Sequence, residues 1–168
     1  MGSETALTRL YEAASDGQAW TLPLDAVDPA GADDFIAYIK NTGDDSLVIA
    51  RLVGVSLTGA DSTIEICRVT GTAAGTPILS AAHNLKYGSG QGAQPSGSVR
   101  TSLDVTGLTI DGTPVYHFDA DISVDFAKNH EFPGGIWIPT GQAIALRVET
   151  GTGIFTGNIE FYREWGGR

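Results

Sequence analysis

Hydrophobic residues recur along this chain at two different periods. Near the start, Leu7, Leu10, Tyr11 and Ala14 fall at helical spacing, and the pattern stops at Ser15, Asp16 and Gly17. This predicts a short helix over residues 4–14 or, because the segment is so short, a loose N-terminal arm. From Trp20 onward the period is two. Residues 20–25 read as a first strand and 26–34 as a loop holding Pro29 and Gly31. The runs 35–40 and 47–55 flank Asn41-Thr42-Gly43-Asp44-Asp45, which reads as a hairpin turn. The second run is apolar on both faces except at Arg51, the pattern of a strand inside a sheet.

The alternation continues to the C-terminus. Over 62–69, Ile64 and Ile66 face one way and Glu65 and Cys67 the other, and the small residues of 70–75 read as a loop. Residues 87–98 carry four glycines and a proline and form the least regular stretch. A strand over 99–109 ends at the turn Asp111-Gly112-Thr113-Pro114. The clearest alternation follows, with Phe118, Ala120, Ile122, Val124 and Phe126 on one face and His117, Asp119, Asp121, Ser123 and Asp125 on the other. His130-Glu131 reads as loop before Phe132-Pro133-Gly134-Gly135. A short strand over 136–138 ends at Pro139-Thr140-Gly141. Strands over 142–149 and 158–164 close the chain, with Ile144, Leu146, Val148, Ile159 and Phe161 inward. About nine or ten short strands with turns between them predict an all-β fold, an antiparallel β-sandwich. It divides into an arm or helix over 1–18 and one sandwich domain over 19–168.

Composition narrows the function. The 168 residues suffice for one core without staples, and the 22 glycines fit a turn-rich chain. Twenty acidic against ten basic residues give a net charge of −10, which argues against a grip on nucleic acid or an anionic membrane. Cys67 is the only cysteine, so no internal disulfide forms; its place in a strand reads as a small apolar filler. No signal-peptide stretch follows Met1-Gly2-Ser3-Glu4, and no apolar run approaches the length of a membrane helix. A soluble protein made in a reducing or redox-neutral place is the expectation.

Candidate chemistry is sparse. Gly88-Ser89-Gly90-Gln91-Gly92-Ala93 fits the dinucleotide fingerprint in letters, but Pro95 and Gly97 follow it and no helical period does. The acidic face of 117–126 reads as a solvated or partner-facing surface, since a flat strand presents too few oxygens for calcium. His83, His117 and His130 lack metal-ligand spacing, and no G-x-S-x-G elbow occurs. The expectation is no catalysis, no metal and no cofactor. Of the tryptophans, Trp137 is opposite in phase to Ile136 and Ile138 and so predicted to face outward, where it would suit a sugar-binding sandwich. The other reading, for Trp137 as for Trp20 and Trp165, is a core or subunit-contact tryptophan.

Two stretches resemble small β-rich proteins of tailed phages. One is Ile36-Ala37-Tyr38-Ile39-Lys40-Asn41 leading into Leu47-Val48-Ile49. The other is Trp137-Ile138-Pro139-Thr140-Gly141-Gln142-Ala143-Ile144 leading to Ile159-Glu160-Phe161-Tyr162. Gly75-Thr76 and 84–89 fit more loosely. The chain departs from the pattern at Lys86 and Thr140. The resemblance implies a jelly-roll-like sandwich on the capsid surface: a decoration or cement protein, a homotrimer bound to the major capsid protein or another virion protein, made in the host cytoplasm before assembly. The arm before Trp20 and the tail 162–168 are its expected contacts, with Leu7, Leu10, Tyr11, Trp20, Trp137, Tyr162 and Trp165 as candidate partner residues. Deleting residues 1–15 is expected to leave the sandwich folded. A carbohydrate-binding module, free or as a tail or host-recognition component, is the alternative.

Overall fold

The structure, a computed structural model, describes residues 5–29, 31–74, 82–86, 99–120 and 128–164. One helix and ten strands lie among them: α1 (Ala6–Ser15), β1 (Ala19–Val27), β2 (Phe35–Asn41), β3 (Ser46–Thr58), β4 (Ser62–Ala74), β5 (His83–Asn84), β6 (Val99–Ile110), β7 (Tyr116–Ala120), β8 (Lys128–Ile138), β9 (Ala143–Thr150) and β10 (Ile154–Glu164). Two antiparallel sheets form, ordered β5-β1-β10-β3-β8 and β6-β2-β9-β4-β7. The protein is an all-β sandwich, as the alternation predicted.

The pairing is nested. β1 pairs with β10, β2 with β9, β3 with β8 and β4 with β7, all antiparallel. One long double-stranded ribbon therefore rolls up, and its strands alternate between the sheets, which is a jelly roll. Inward residues of both sheets, among them Leu22, Ile36, Ile49, Ile64, Leu146, Val148, Ile159 and Phe161, form one apolar core. β5 and β6 lie between β4 and β7 in sequence and add one strand to each sheet.

The rolled ribbon corrects the reading of residues 41–45. β2 and β3 belong to different sheets, so no hairpin joins them. Both strands need two lateral neighbours of their own, and the turn carries the chain across the core. Asn41 anchors that crossing from a fully buried position. Its Nδ2 donates to Asp45 O at 2.7 Å and to Ile138 O at 2.9 Å, and its Oδ1 accepts from Gly43 N at 3.0 Å. Its backbone bonds Gln142 and Gly141, so the two corners of the ribbon cross together.

Both outer faces are also covered. On the first sheet, α1 lays Ala6 and Leu10 on Ala19, Val48, Ala50 and Tyr162. The helix begins where the Thr5 side chain accepts from Thr8 N. It ends where Gly17, at φ 74°, lets Gly17 N and Gln18 N donate to Ala14 O and Ala13 O. It is thus a docked layer, not a loose arm. On the second sheet, β6 pairs with β2 over Phe35–Val105 to Asn41–Val99, then with β4. Val69 has Ala143 of β9 on one side and Ile110 of β6 on the other, so this sheet closes on itself. The closure holds a second core of Phe35, Tyr38, Cys67, Val69, Val105, Ala143 and Ala145. Two glycines permit it. A Cβ on Gly71 would stand 2.6 Å from Gly107 O, and one on Gly107 2.7 Å from Thr72 O.

Two further loop readings are corrected here. Residues 70–74 continue β4, because β6 supplies their hydrogen-bond partners. His130 and Glu131 lie in β8 opposite Leu52 and Arg51, and Phe132-Pro133-Gly134-Gly135 forms a bulge in that strand. The glycine-rich segment 87–98 and residues 121–126 of the acidic alternation lie outside the described residues.

Candidate partner-contact surface

The candidate partner residues separate by burial. Leu10, Trp20 and Tyr162 are interior, which corrects their assignment as contacts. Leu10 and Tyr162 form the seam between helix and sheet, and Trp20 stacks on Phe161 in the main core at 6.0 Å. Trp165 lies outside the described residues. Leu7 is half-buried against the seam, while Tyr11 is 57 % and Trp137 50 % exposed.

Those three are brought to one face. Trp137 pairs in register with Val48, whose side chain lies beneath α1, so its indole shares the outer face of the first sheet. Nε1 donates to Gly134 O at 3.0 Å, folding the ring back over the β8 bulge. Tyr11 lies over the next strand, with the Arg51 guanidinium 5.7 Å from its ring centre and Nη1 3.4 Å from its hydroxyl. Arg51 is itself fixed by Glu160, Nε to Oε2 2.6 Å, and faces exposed Glu131 across the β3–β8 register. Sequence reasoning passed over Arg51 and Glu131 as site residues. The signal was there: Arg51 is the one charge in an apolar strand, and a sheet residue of that kind must face a polar neighbour.

Two other titratable clusters stand apart from this face. Glu65, buried beside Cys67, holds Arg147 through Nε at 3.1 Å and Nη2 at 2.6 Å, and Arg147 Nη1 reaches Asp33 at 2.9 Å. Burial, then the nearby Glu65 carboxylate, push the Cys67 thiol from 9.0 up to about 11. That suits a packing residue and not a nucleophile. On the β7–β8 side, His130 packs on Phe118 at 4.1 Å among Tyr116 and Phe132. Burial and then Lys128 hold its pKa below the ordinary value. On β7, His117 and Asp119 are exposed, with Asp119 accepting from the Thr63 hydroxyl at 2.9 Å. Among the described residues no three His, Cys, Asp or Glu side chains gather as a metal site would require.

Comparison with protein-family models, with curated proteins and with solved structures finds no match to this chain.

Proposed function

We propose that the protein is a structural component of a tailed-phage virion, a capsid decoration protein that binds the outer shell as a homotrimer and stabilises it. The observation that supports this reading most is the nested-ribbon jelly roll, an architecture used in viral capsids and in lectins. Sealing both outer faces, one with α1 and one with β6, adds to it: a body with three apolar layers resists distortion. The mechanism would be mechanical, with neighbouring shell subunits clamped against internal pressure. The acidic balance suits a protein outside the packaged nucleic acid. Leu10 and Tyr162 are committed to the helix–sheet seam, so the contacts of this reading fall on other residues.

The test is quantitative mass spectrometry and antibody labelling of purified particles from the source culture. Near-stoichiometric copies relative to the major shell protein, with label on the head, are the expected result. Absence from purified particles would overturn the reading. Light scattering across a tenfold concentration range is expected to give a concentration-independent trimer.

A further inference from the structure

β7 and β8 are the outermost strands on one side of the sandwich. Among the described residues each has a single neighbour in its sheet, β4 for β7 and β3 for β8. They belong to different sheets, so no backbone ladder joins them and side chains close this side of the core. His130 pairs in register with Leu52, a core residue, and so points between the sheets. Its ring lies on Phe118 of β7 at 4.1 Å and 31° and meets Tyr116 edge-on at 6.3 Å, while Phe132 meets Tyr116 at 5.0 Å. We propose that His130 is an acid-operated latch: uncharged, it holds β8 against β7, and protonated, it lets this side of the sandwich part while the rest stays folded.

Three observations carry the assignment. The surroundings suit a neutral ring and not a charged one. β7 faces it with the Phe118 and Tyr116 rings, β3 with Leu52, and β8 with Phe132 and the Lys128 ammonium, of like sign to an imidazolium. His117 and Asp119 on β7, and Glu131 on β8, alternate to the outer faces. Second, the ring is half-buried, so a proton reaches it without unfolding the chain. Third, strands held by one neighbour part more readily than strands held by two, and β9 and β10 each have two. Burial, then Lys128, hold the His130 pKa below its ordinary 6.5. The closed form therefore binds the proton less readily than an open form, and its advantage is complete above pH 6.5 and shrinks as pH falls. The latch goes beyond the particle reading and does not depend on it.

Hydrogen exchange of the full chain, read by mass spectrometry at about pH 7.5 and about pH 5.5 and corrected for the chemical effect of pH, tests it. One proton bound by an open site at the ordinary 6.5 raises the opening constant by at most about tenfold over that interval. Peptides over β7 and β8 are expected to lose protection several-fold, and those over β1 and β10 to keep theirs. His130→Phe keeps an aromatic ring in the cluster and removes the titration, so its β7 and β8 peptides should not respond to pH. In an NMR titration of the wild type, the His130 imidazole signal, assigned by its absence from the variant, should have its midpoint below 6.5. His130→Gln supplies the same assignment if the phenylalanine variant fails to fold. Unchanged β7 and β8 protection in the wild type, a pH response that survives His130→Phe, a loss spread equally over β1 and β10, or a His130 midpoint at or above 6.5 overturns the proposal.

Discussion

Replacing Asn41 with alanine removes three hydrogen bonds from the crossing where the ribbon passes between sheets. The side chain is fully buried, and its contact with Ile138 O joins corners that are far apart in sequence. Ile138 O is left without that donor in a place water does not reach, which costs about 1–3 kcal/mol. Asp45 O and Gly43 N lie nearer solvent and lose about 0.5–1 kcal/mol each. The sum is about 3 kcal/mol. A chain of this length shifts by roughly 2–4 °C per kcal/mol, so the melting temperature should fall by about 6–12 °C. Asn41→Asp keeps the acceptor for Gly43 N but turns both donor positions into acceptors facing carbonyls, and should be at least as damaging. Thermal and urea unfolding followed by circular dichroism read both variants. An Asn41→Ala loss under about 0.5 kcal/mol, or an Asn41→Asp variant more stable than the alanine one, would refute the anchoring role.

Other outcomes follow from the same physics. Arg147→Ala leaves Glu65 buried without its cation and should cost about 3–5 kcal/mol in urea unfolding, whereas Asp33→Asn, at a carboxylate 74 % exposed, should cost under about 1 kcal/mol. Folding holds the Cys67 thiol protonated, so the stability it contributes is complete below pH 9 and disappears as pH rises towards about 11. Urea midpoints should therefore fall less between pH 8 and about 10.5 in Cys67→Ala than in wild type. Removing α1 uncovers Ala19, Val48, Ala50 and Tyr162, contrary to the expectation that residues 1–15 are dispensable for folding. The truncated chain should bind a hydrophobic dye and unfold at lower urea, and Leu10→Ala alone should cost about 2–5 kcal/mol.

Strand faces were legible where one side of the sheet is wet. Phe118 inward with His117 and Asp119 outward follows from alternation alone, as does the outward phase of Trp137. Partnership between strands was not legible. The turn chemistry of Asn41-Thr42-Gly43 is local and describes any sharp reversal, while the choice of sheet depends on β9 and β10, about a hundred residues on. Glycine and proline misled twice for one reason. At Gly71 and in Pro133-Gly134-Gly135 they mark bulges inside paired strands, and composition does not separate a bulge from a loop. Residue type alone left Trp20 and Tyr162 undecided between core and contact, and packing decided it. The surface strip came half into view: Tyr11 and Trp137 were visible as aromatics, but only the register of β3 against β8 puts Glu131 beside Arg51.

The nested ribbon also dictates the timing of assembly. Trp20 pairs with Phe161, so the first strand has its main partner in the last, and β2 waits for β9 in the same way. A nascent chain leaving the ribosome holds its early strands uncovered until β9 and β10 have emerged, and closing such long loops is slow. A chain cut short before β10 leaves β1 and β3 without their shared neighbour and exposes two long apolar edges to other chains. Emergence of β10 is the event that lets this fold close.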